Sequence, residues 1–122
     1  MKDVKESQHQ KTVVAWFRAQ YPKLHRCLQA SSSGAVLGGN IRARAMQMNS
    51  LKACGLVVGQ ADLFLSIPLN GYHGLYIEMK SLTGMTSGEQ DEFLKDMHLQ
   101  GYDCFVAFGA DEAIEKIKSD LK

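Results

Sequence analysis

The 122-residue sequence has no apolar run that approaches the roughly 20 residues needed to cross a bilayer. Its first ten residues, MKDVKESQHQ, are polar and lack the apolar stretch of a secretory signal. The composition, with 45% hydrophobic and 22% charged residues, is ordinary for a globular protein. These features predict a cytoplasmic protein that has no membrane partner.

The sequence also lacks the residue spacings of common zinc and nucleotide sites. The three cysteines are far apart and odd in number, and the four histidines form no HExxH pair. Neither GxxxxGKS nor GxxxxGKT is present, so we expect no nucleotide cofactor. The cysteines, which we expect to be buried and reduced, are Cys27, Cys54 and Cys104.

Acidic residues are missing from nearly half of the chain. Between Glu6 and Asp62 there is no Asp or Glu, whereas seven Lys and Arg residues fall in that stretch. From Asp62 to the end, eleven acids outnumber five lysines. This asymmetry is expected if one surface binds phosphates, although a chance distribution of solvated charges would look the same. The candidate DNA-binding residues are Arg42, Arg44, Lys52, Lys11 and Arg26.

Periodicity and capping signals divide the chain into helices and strands in the order α, β, α, β, β, α, β, α. This order predicts an α/β fold with a small central mixed β-sheet flanked by helices. No repeat or composition shift marks a boundary, so we expect one domain over residues 1–122. The predicted helices run to Tyr21 (before Pro22), from Arg42 to Cys54, from Ser87 to near Gly101, and onwards from Gly109; the predicted strands are 24–30, ADLFLSI (61–67), GLYIEMK (74–80) and a buried strand at 102–108.

The second predicted helix carries an apolar line at Ala45, Met48 and Leu51. That line predicts a face packed on the core, and it favours Met46 and Met48 as core-filling residues over a flexible interface. The preceding stretch, from Ser31 to Asn40, is rich in Ser and Gly. It is either a loop that closes on a ligand or a plain linker.

Charged residues occur within two otherwise apolar strand segments. Asp62 lies in the first, and Glu78 and Lys80 lie two residues apart in the second, so Glu78 and Lys80 share one face of the strand. Because charged side chains are costly to bury without partners, their presence on such strands needs an explanation. We interpret them as a metal-dependent phosphodiesterase site.

Hydrolysis of a phosphodiester requires an activated water and neutralisation of charge on the phosphoryl group. Mg²⁺ (or Mn²⁺) supplies both when one or two carboxylates hold it and leave positions for water and phosphate. Asp62 and Glu78 are the candidate ligands, with the backbone carbonyl of Met79 as a further oxygen. Lys80 would orient or help deprotonate the attacking water.

This interpretation depends on the strand register. A two-residue turn at Asn70–Gly71 pairs Leu69 with Tyr72, and that register places Asp62 opposite Met79, with the two acids on opposite faces. If the strands form a hairpin, the site therefore requires an odd-length loop or a bulge between Leu65 and Gly74.

Two polar residues have competing interpretations. Asp3 to Glu6 fits a capping box, which favours a capping role for Glu6, although its helix position also allows it to point to an active site. Ser87 to Gln90 fits a second capping box, which explains Gln90 without any catalytic role.

Several of these segments, in order, resemble the virus-type replication-repair nuclease (VRR-NUC) family of the PD-(D/E)xK superfamily. They are Gly59-Gln-Ala-Asp62-Leu, Gly74-Leu-Tyr-Ile-Glu78-Met-Lys80-Ser, Ser87-Gly-Glu-Gln90 and Gly101-Tyr102, with Glu6-Ser-Gln-His-Gln10 in the opening helix. The resemblance covers nearly the whole chain. It departs from the family at Ala61, where many members have Pro, a position that shapes the backbone rather than the chemistry.

The resemblance implies a restriction-endonuclease-like fold and divalent-metal-dependent DNA cleavage. It implies Asp62 and Glu78 as metal ligands, Lys80 as the catalytic lysine, Glu6 as a further acid at the metal, and Gln90 as an accessory catalytic residue.

Stand-alone members of this size resemble phage and bacterial proteins that act on branched DNA, often as homodimers. This implies Holliday-junction resolution, in the host cytoplasm if the gene belongs to a phage. The alternatives are a flap- or end-directed nuclease of the same fold and a non-catalytic DNA-binding module. A protein–protein adaptor would leave the acid-free cationic stretch unexplained.

Overall fold

In the computed structural model, which describes residues 4–31 and 37–122, four strands form one mixed sheet between helices. The strand order is the order of the chain, with the first three strands antiparallel and the last parallel to the third. The predicted fold class is confirmed. The elements are α1 (Glu6–Gln20), a 3-10 helix (Pro22–Cys27), β1 (Leu28–Ala30), α2 (Ile41–Ala53), β2 (Leu63–Leu65), β3 (Leu75–Lys80), α3 (Gly88–Leu99), β4 (Asp103–Phe108) and α4 (Ala110–Asp120).

One face of the sheet forms the main hydrophobic core. Alternate residues of β3 point to this face, and α1 and α4 cover it with Val13, Phe17 and Ile117. The sheet contributes Leu28, Leu63, Leu65, Leu75, Ile77, Met79 and Ala107 to the same cluster. Because these side chains are almost wholly buried, they fix the position of β3, which carries Glu78 and Lys80.

The opposite face is covered by α3 through an aromatic layer. Phe64 and Tyr76 are cross-strand partners whose rings lie 4.5 Å apart, and Phe93 of α3 meets Tyr76 edge-on at 5.3 Å. Phe93, Leu94 and Met97 are half-buried, as is Gln90 one turn before Phe93 and Leu94, so these residues form the inner side of α3. Tyr76, Glu78 and Lys80 all point to this face, so the charged residues lie at one end of the aromatic layer.

The N-terminal half departs from the sequence predictions in two places. The predicted strand at 24–30 is mostly a 3-10 helix, since Pro22 occupies its first turn and only three residues join the sheet. The predicted Asp3–Glu6 capping box is wrong, because α1 begins at Glu6 with Lys5 as its N-cap and no side-chain cap bond. Asp3 lies outside the described residues, as do residues 32–36 of the predicted Ser31–Asn40 loop.

The prediction that α2 packs on the core is also wrong. The helix has the predicted length and an Asn40 N-cap whose side chain accepts a hydrogen bond from the Ala43 N–H, but it buries no residue. Met46 is 64% exposed and Met48 is only half-buried, so neither methionine fills the core. The three cysteines are free as expected, but the prediction that they are buried is wrong, because Cys54 is exposed and Cys27 and Cys104 are only half-buried.

The predicted buried strand at 102–108 begins one residue later, at Asp103. Because β4 lies at the edge of the sheet, most of its residues are half-buried instead of buried. Within the described residues, no helix has both the length and the apolar character that a membrane span requires.

Candidate active site

Asp62 and Glu78 lie on the same face of the sheet, as the site requires. The pairing of Leu63 with Ile77 and of Leu65 with Leu75 continues to place Asp62 opposite Glu78. The Asn70–Gly71 turn nevertheless pairs Leu69 with Tyr72, with both turn residues at positive φ (56° and 84°). The register therefore shifts by one residue between turn and strands, which confirms the predicted irregularity.

The backbone of Met79 faces Asp62. Its N–H donates a hydrogen bond to Oδ2 of Asp62 at 2.8 Å. The carbonyl of Lys80, one residue on, accepts a hydrogen bond from the N–H of Gly109, on the β4 side. Since backbone groups of successive strand residues point to opposite neighbours, the carbonyl of Met79 lies on the Asp62 side. A carboxylate and a backbone oxygen are thus available at one edge of β3.

Glu78 is the most deeply buried acid at this site, with 1% of its surface exposed. Its Oε2 accepts a hydrogen bond from Nε2 of Gln90 at 3.3 Å, while its Oε1 is buried without a hydrogen-bond partner among the described residues. Burial, followed by contact with the Asp62 carboxylate, raises the pKa of Glu78 to about 9, and the charge of Lys80 offsets only part of this rise. Two acids in contact at a buried position favour a shared cation.

Lys80 is 6% exposed and lies between two carboxylates. Its Nζ is 3.5 Å from Oε1 of Glu6 and 3.8 Å from Oε2 of Glu78. Both distances are longer than a charge-assisted hydrogen bond, so Lys80 is attracted electrostatically by both acids but does not form a short hydrogen bond with either.

Gln90 caps α3 and also contacts a side chain of the site. Ser87 caps α3 by accepting a hydrogen bond from the Gln90 N–H, and Oε1 of Gln90 accepts one from the Ser87 N–H at 2.8 Å. The other end of the same amide donates to Glu78. The capping box therefore holds an amide donor of Gln90 against Glu78, and the accessory catalytic role of Gln90 stays a prediction.

The loop that precedes Asp62 closes the site against α3. Gly59 has φ +86°, and a Cβ atom there would lie 2.5 Å from the backbone oxygen of Glu89. This close approach places the two segments around a cavity of about 360 Å³. The cavity is lined by Glu6, Val58, Gly59, Gln60, Asp62, Glu78, Lys80, Ser87, Glu89 and Gln90.

Glu6 belongs to this cavity rather than to a cap. It occupies the first turn of α1, lines the cavity and forms the ion pair with Lys80. The preference for a capping role is wrong, because α1 begins three residues after Asp3 and leaves Glu6 at the first helical position.

The residues present are suited to a divalent cation. Within residues 4–31 and 37–122, no group of three or more His, Cys, Asp or Glu side chains has the geometry of a metal site. Mg²⁺ does not require such a group, because it keeps several waters and is held by one or two carboxylates together with substrate phosphate. The partnerless buried Oε1 of Glu78, the adjacent Asp62 carboxylate and the Met79 carbonyl are hard oxygen donors of this type. Glu6 contacts Lys80, so its geometry favours holding the lysine over binding the metal.

The predicted DNA-binding residues are exposed but are not gathered at the cavity. Arg42, Arg44 and Lys52 lie on α2, Lys11 lies on α1 and Arg26 lies in the 3-10 helix. None of the five lines the cavity, and none pairs with an acid in the part of the chain that the structure describes. Sequence reasoning did not identify Val58, Gln60 and Glu89 as lining residues, since only the contact between the Gly59 loop and α3 brings them together.

The fold and site together define a class of protein. An Asp directly before one strand, a Glu-x-Lys on the next strand and an acid from the first helix meet at one face of a mixed sheet, which is the arrangement that the resemblance to PD-(D/E)xK nucleases implies.

Comparison with known proteins narrows this class. No protein-family model matches the chain, and no curated protein matches it either. A solved structure described as "VRR_NUC domain protein" matches with a TM-score of 0.81 and 26% sequence identity, covering 99% of this chain and 91% of that one. This match supports the assignment of a VRR-NUC-like domain to the chain, and a domain of that kind suggests a nuclease of the PD-(D/E)xK type.

Proposed function

We propose that this protein is a divalent-metal-dependent endonuclease that hydrolyses phosphodiester bonds in branched DNA, with Holliday junctions as its main substrate. The observation that carries the proposal is the register of β2 and β3, which brings the Asp62 carboxylate against Glu78, whose buried Oε1 has no hydrogen-bond partner among the described residues and whose Oε2 lies near Lys80. A site of this composition is costly in the absence of a cation and substrate.

Asp62, Glu78 and the Met79 carbonyl would hold Mg²⁺ or Mn²⁺. When bound, the ion would supply positive charge against the phosphoryl oxygens and lower the pKa of the attacking water. Gln90 keeps Glu78 in place through a hydrogen bond that is itself fixed by the α3 capping box. Asp62 is oriented in the same way by the Met79 N–H.

Lys80 is the residue of the chain that would act on the attacking water. Its ammonium group lies between Glu6 and Glu78, inside the cavity and close to both acids. From this position it can donate a hydrogen bond to the water and orient it in line with the leaving oxygen. Glu6 balances the lysine charge and limits the range of positions that its side chain adopts.

The substrate proposal rests on charge and symmetry. Arg42, Arg44, Lys52, Lys11 and Arg26 would contact DNA phosphates, since they are exposed and belong to the acid-free stretch. A four-way junction requires two symmetric nicks, and one chain supplies one site. A two-fold homodimer would supply both sites.

The test compares labelled four-way junction, flap and linear duplex DNA in Mg²⁺, in Mn²⁺ and in EDTA. We expect paired symmetric nicks in the junction and no cleavage in EDTA. Lys80→Ala should lower the rate of cleavage by roughly 10²–10⁴-fold. The matched control is Lys95→Ala, an exposed lysine on α3 outside the cavity, which should cleave normally.

Each other outcome has a definite meaning. Cleavage of flaps or ends in preference to junctions would support the alternative nuclease, and single unpaired nicks would contradict the two-fold dimer. DNA binding without cleavage of any substrate would support the non-catalytic module. Unchanged cleavage by Lys80→Ala would reject the role given to Lys80.

A further inference from the structure

The first turn of α1, which carries Glu6, has few ties of its own. Its N-cap, Lys5, makes no side-chain capping bond, and residues 4–8 are all exposed. The first wholly buried residue of the helix is Val13, two turns later. Because the first backbone N–H groups of a helix have no partners within it, an uncapped and exposed first turn frays. Something else must hold Glu6 beside Lys80.

His9 makes a long-range contact at this point. Its Nδ1 accepts a hydrogen bond of 3.1 Å from the backbone N–H of Ala110, at the start of α4. The residue before α4 is Gly109, which has no side chain and cannot cap the helix. His9, with Nδ1 as the acceptor, therefore supplies from a distance the side-chain cap that Gly109 cannot give to α4.

The same few residues connect α4 to the end of β3. The N–H of Gly109 donates a hydrogen bond to the carbonyl of Lys80 at 2.9 Å. Gly109 has φ +94°, and a Cβ there would lie 2.7 Å from Leu82, so the connection is tightly packed. The Lys80 carbonyl and His9 Nδ1 thus accept hydrogen bonds from the adjacent backbone N–H groups of Gly109 and Ala110.

Glu6 and His9 are three residues apart and lie on one side of α1. Holding His9 against Ala110 keeps the first turn of α1, and with it Glu6, close to Lys80, with 3.5 Å between Oε1 and Nζ. We propose that His9 is a positioning residue for Lys80: it pins the first turn of α1 to the start of α4 and acts on the lysine through Glu6. Its effect on turnover rests on the nuclease function proposed above, whereas its effect on the helix does not.

The activity test is a double-mutant cycle. His9→Leu removes the acceptor while retaining bulk, and His9→Asn retains an acceptor close to the position of Nδ1. We expect His9→Leu to lower kcat for DNA cleavage about 10-fold, the size of one lost capping bond, with little change in KM. His9→Asn should restore most of the rate, and His25→Leu, at an exposed histidine of the 3-10 helix, should have no effect.

The same loss is expected to vanish in a Glu6→Gln background, because His9 would then have nothing to position. Effects of His9→Leu and Glu6→Gln that simply multiply would overturn the proposal, since they would show that His9 acts independently of Glu6.

A second measurement does not depend on catalysis. Backbone amide hydrogen exchange in His9→Leu should rise in residues 6–10 and at Ala110, with little change around Val13 and Phe17. Unchanged exchange at these positions would overturn the proposed role of the His9–Ala110 contact in holding the first turn of α1, even if the rate of DNA cleavage fell. If the wild-type protein cleaves no DNA but the exchange result is as expected, the proposed function is wrong, whereas His9 still holds the first turn of α1 against α4.

Discussion

Glu78 is a buried carboxyl group beside a second carboxyl group, and both features oppose its ionisation. With a folded-state pKa of about 9 against an ordinary value of 4.5, it keeps a proton that the unfolded chain releases between these two pH values. In the absence of metal, this group's contribution to the free energy of unfolding is fully present below about pH 4.5 and is lost as the pH rises through 9. Metal binding requires the ionised form, so it must displace the proton.

Glu78→Gln should therefore remove a pH dependence from the metal-free protein. In EDTA, the wild-type free energy of unfolding should fall between about pH 5 and pH 9, and the variant should be more stable at the upper end by roughly 1–3 kcal/mol. Added Mg²⁺ should stabilise the wild type most at high pH and the variant not at all. Urea unfolding across this pH range is the measurement.

The control for this experiment is Glu92→Gln, at an exposed acid of α3 outside the cavity. It should reproduce the wild-type pH profile. A Glu78→Gln variant with the same pH slope as wild type would contradict the assignment of a retained proton to Glu78.

At the residue scale, the sequence predicts the central acids and the lysine but not the setting of Glu6. Asp62, Glu78 and Lys80 stand out because charge within apolar strands is costly wherever the strands pack. Glu6 is ambiguous because a capping pattern states which residues can cap a helix, not where its first turn begins. His9 carries no local signal, since its partner is 101 residues away.

At the level of elements, the register of β2 and β3 could be predicted because a metal site requires Asp62 and Glu78 on one face of the sheet. The Asn70–Gly71 turn fixes one register, and two acids on one face demand the other, so an irregularity between them follows from counting residues. The length of β1 could not be obtained this way, because Pro22 started a 3-10 helix over residues that are compatible with a strand.

The contact between the Gly59 loop and α3 joins two elements of the site, and it leads to a second prediction. Gly59→Ala should lower the free energy of unfolding by roughly 1–3 kcal/mol and reduce DNA cleavage, because the new Cβ would push the Glu89 backbone and move Gln90 away from Glu78. Denaturant unfolding and cleavage rates measured on the same preparation test both parts.

Gly71→Ala is a matched control for this substitution. Gly71 has nearly the same φ, +84° against +86°, but a Cβ there meets nothing within 4 Å. Gly71→Ala should lower the free energy of unfolding only by the cost of backbone strain, and its DNA cleavage should be retained. Equal losses of stability and of cleavage in the two variants would show that the approach to α3 is unimportant.

At the scale of the whole molecule, α2 shows where sequence periodicity ceases to be informative. Its apolar spacing is compatible with packing on a core, but spacing cannot report whether another element covers that face. In the structure the helix buries no residue, and Ile41 and Met46 are 79% and 64% exposed. A cationic helix that does not contribute to the core is available for a partner, and the charge asymmetry along the chain favours an anionic one.

Replacing Arg42, Arg44 and Lys52 together by Gln should weaken binding to duplex arms and reduce its salt dependence. Each lost phosphate contact lowers the slope of log K against log salt by about 0.9, so three contacts lower it by up to about 2.7. The fold should be unaffected, since α2 buries nothing and Gln is a good helix former. Fluorescence anisotropy with labelled junction DNA in EDTA, which separates binding from cleavage, measures the slope. The control replaces the exposed Lys95, Lys118 and Lys122 of the acidic half by Gln, and an equal fall in slope there would indicate that α2 has no special contact with DNA.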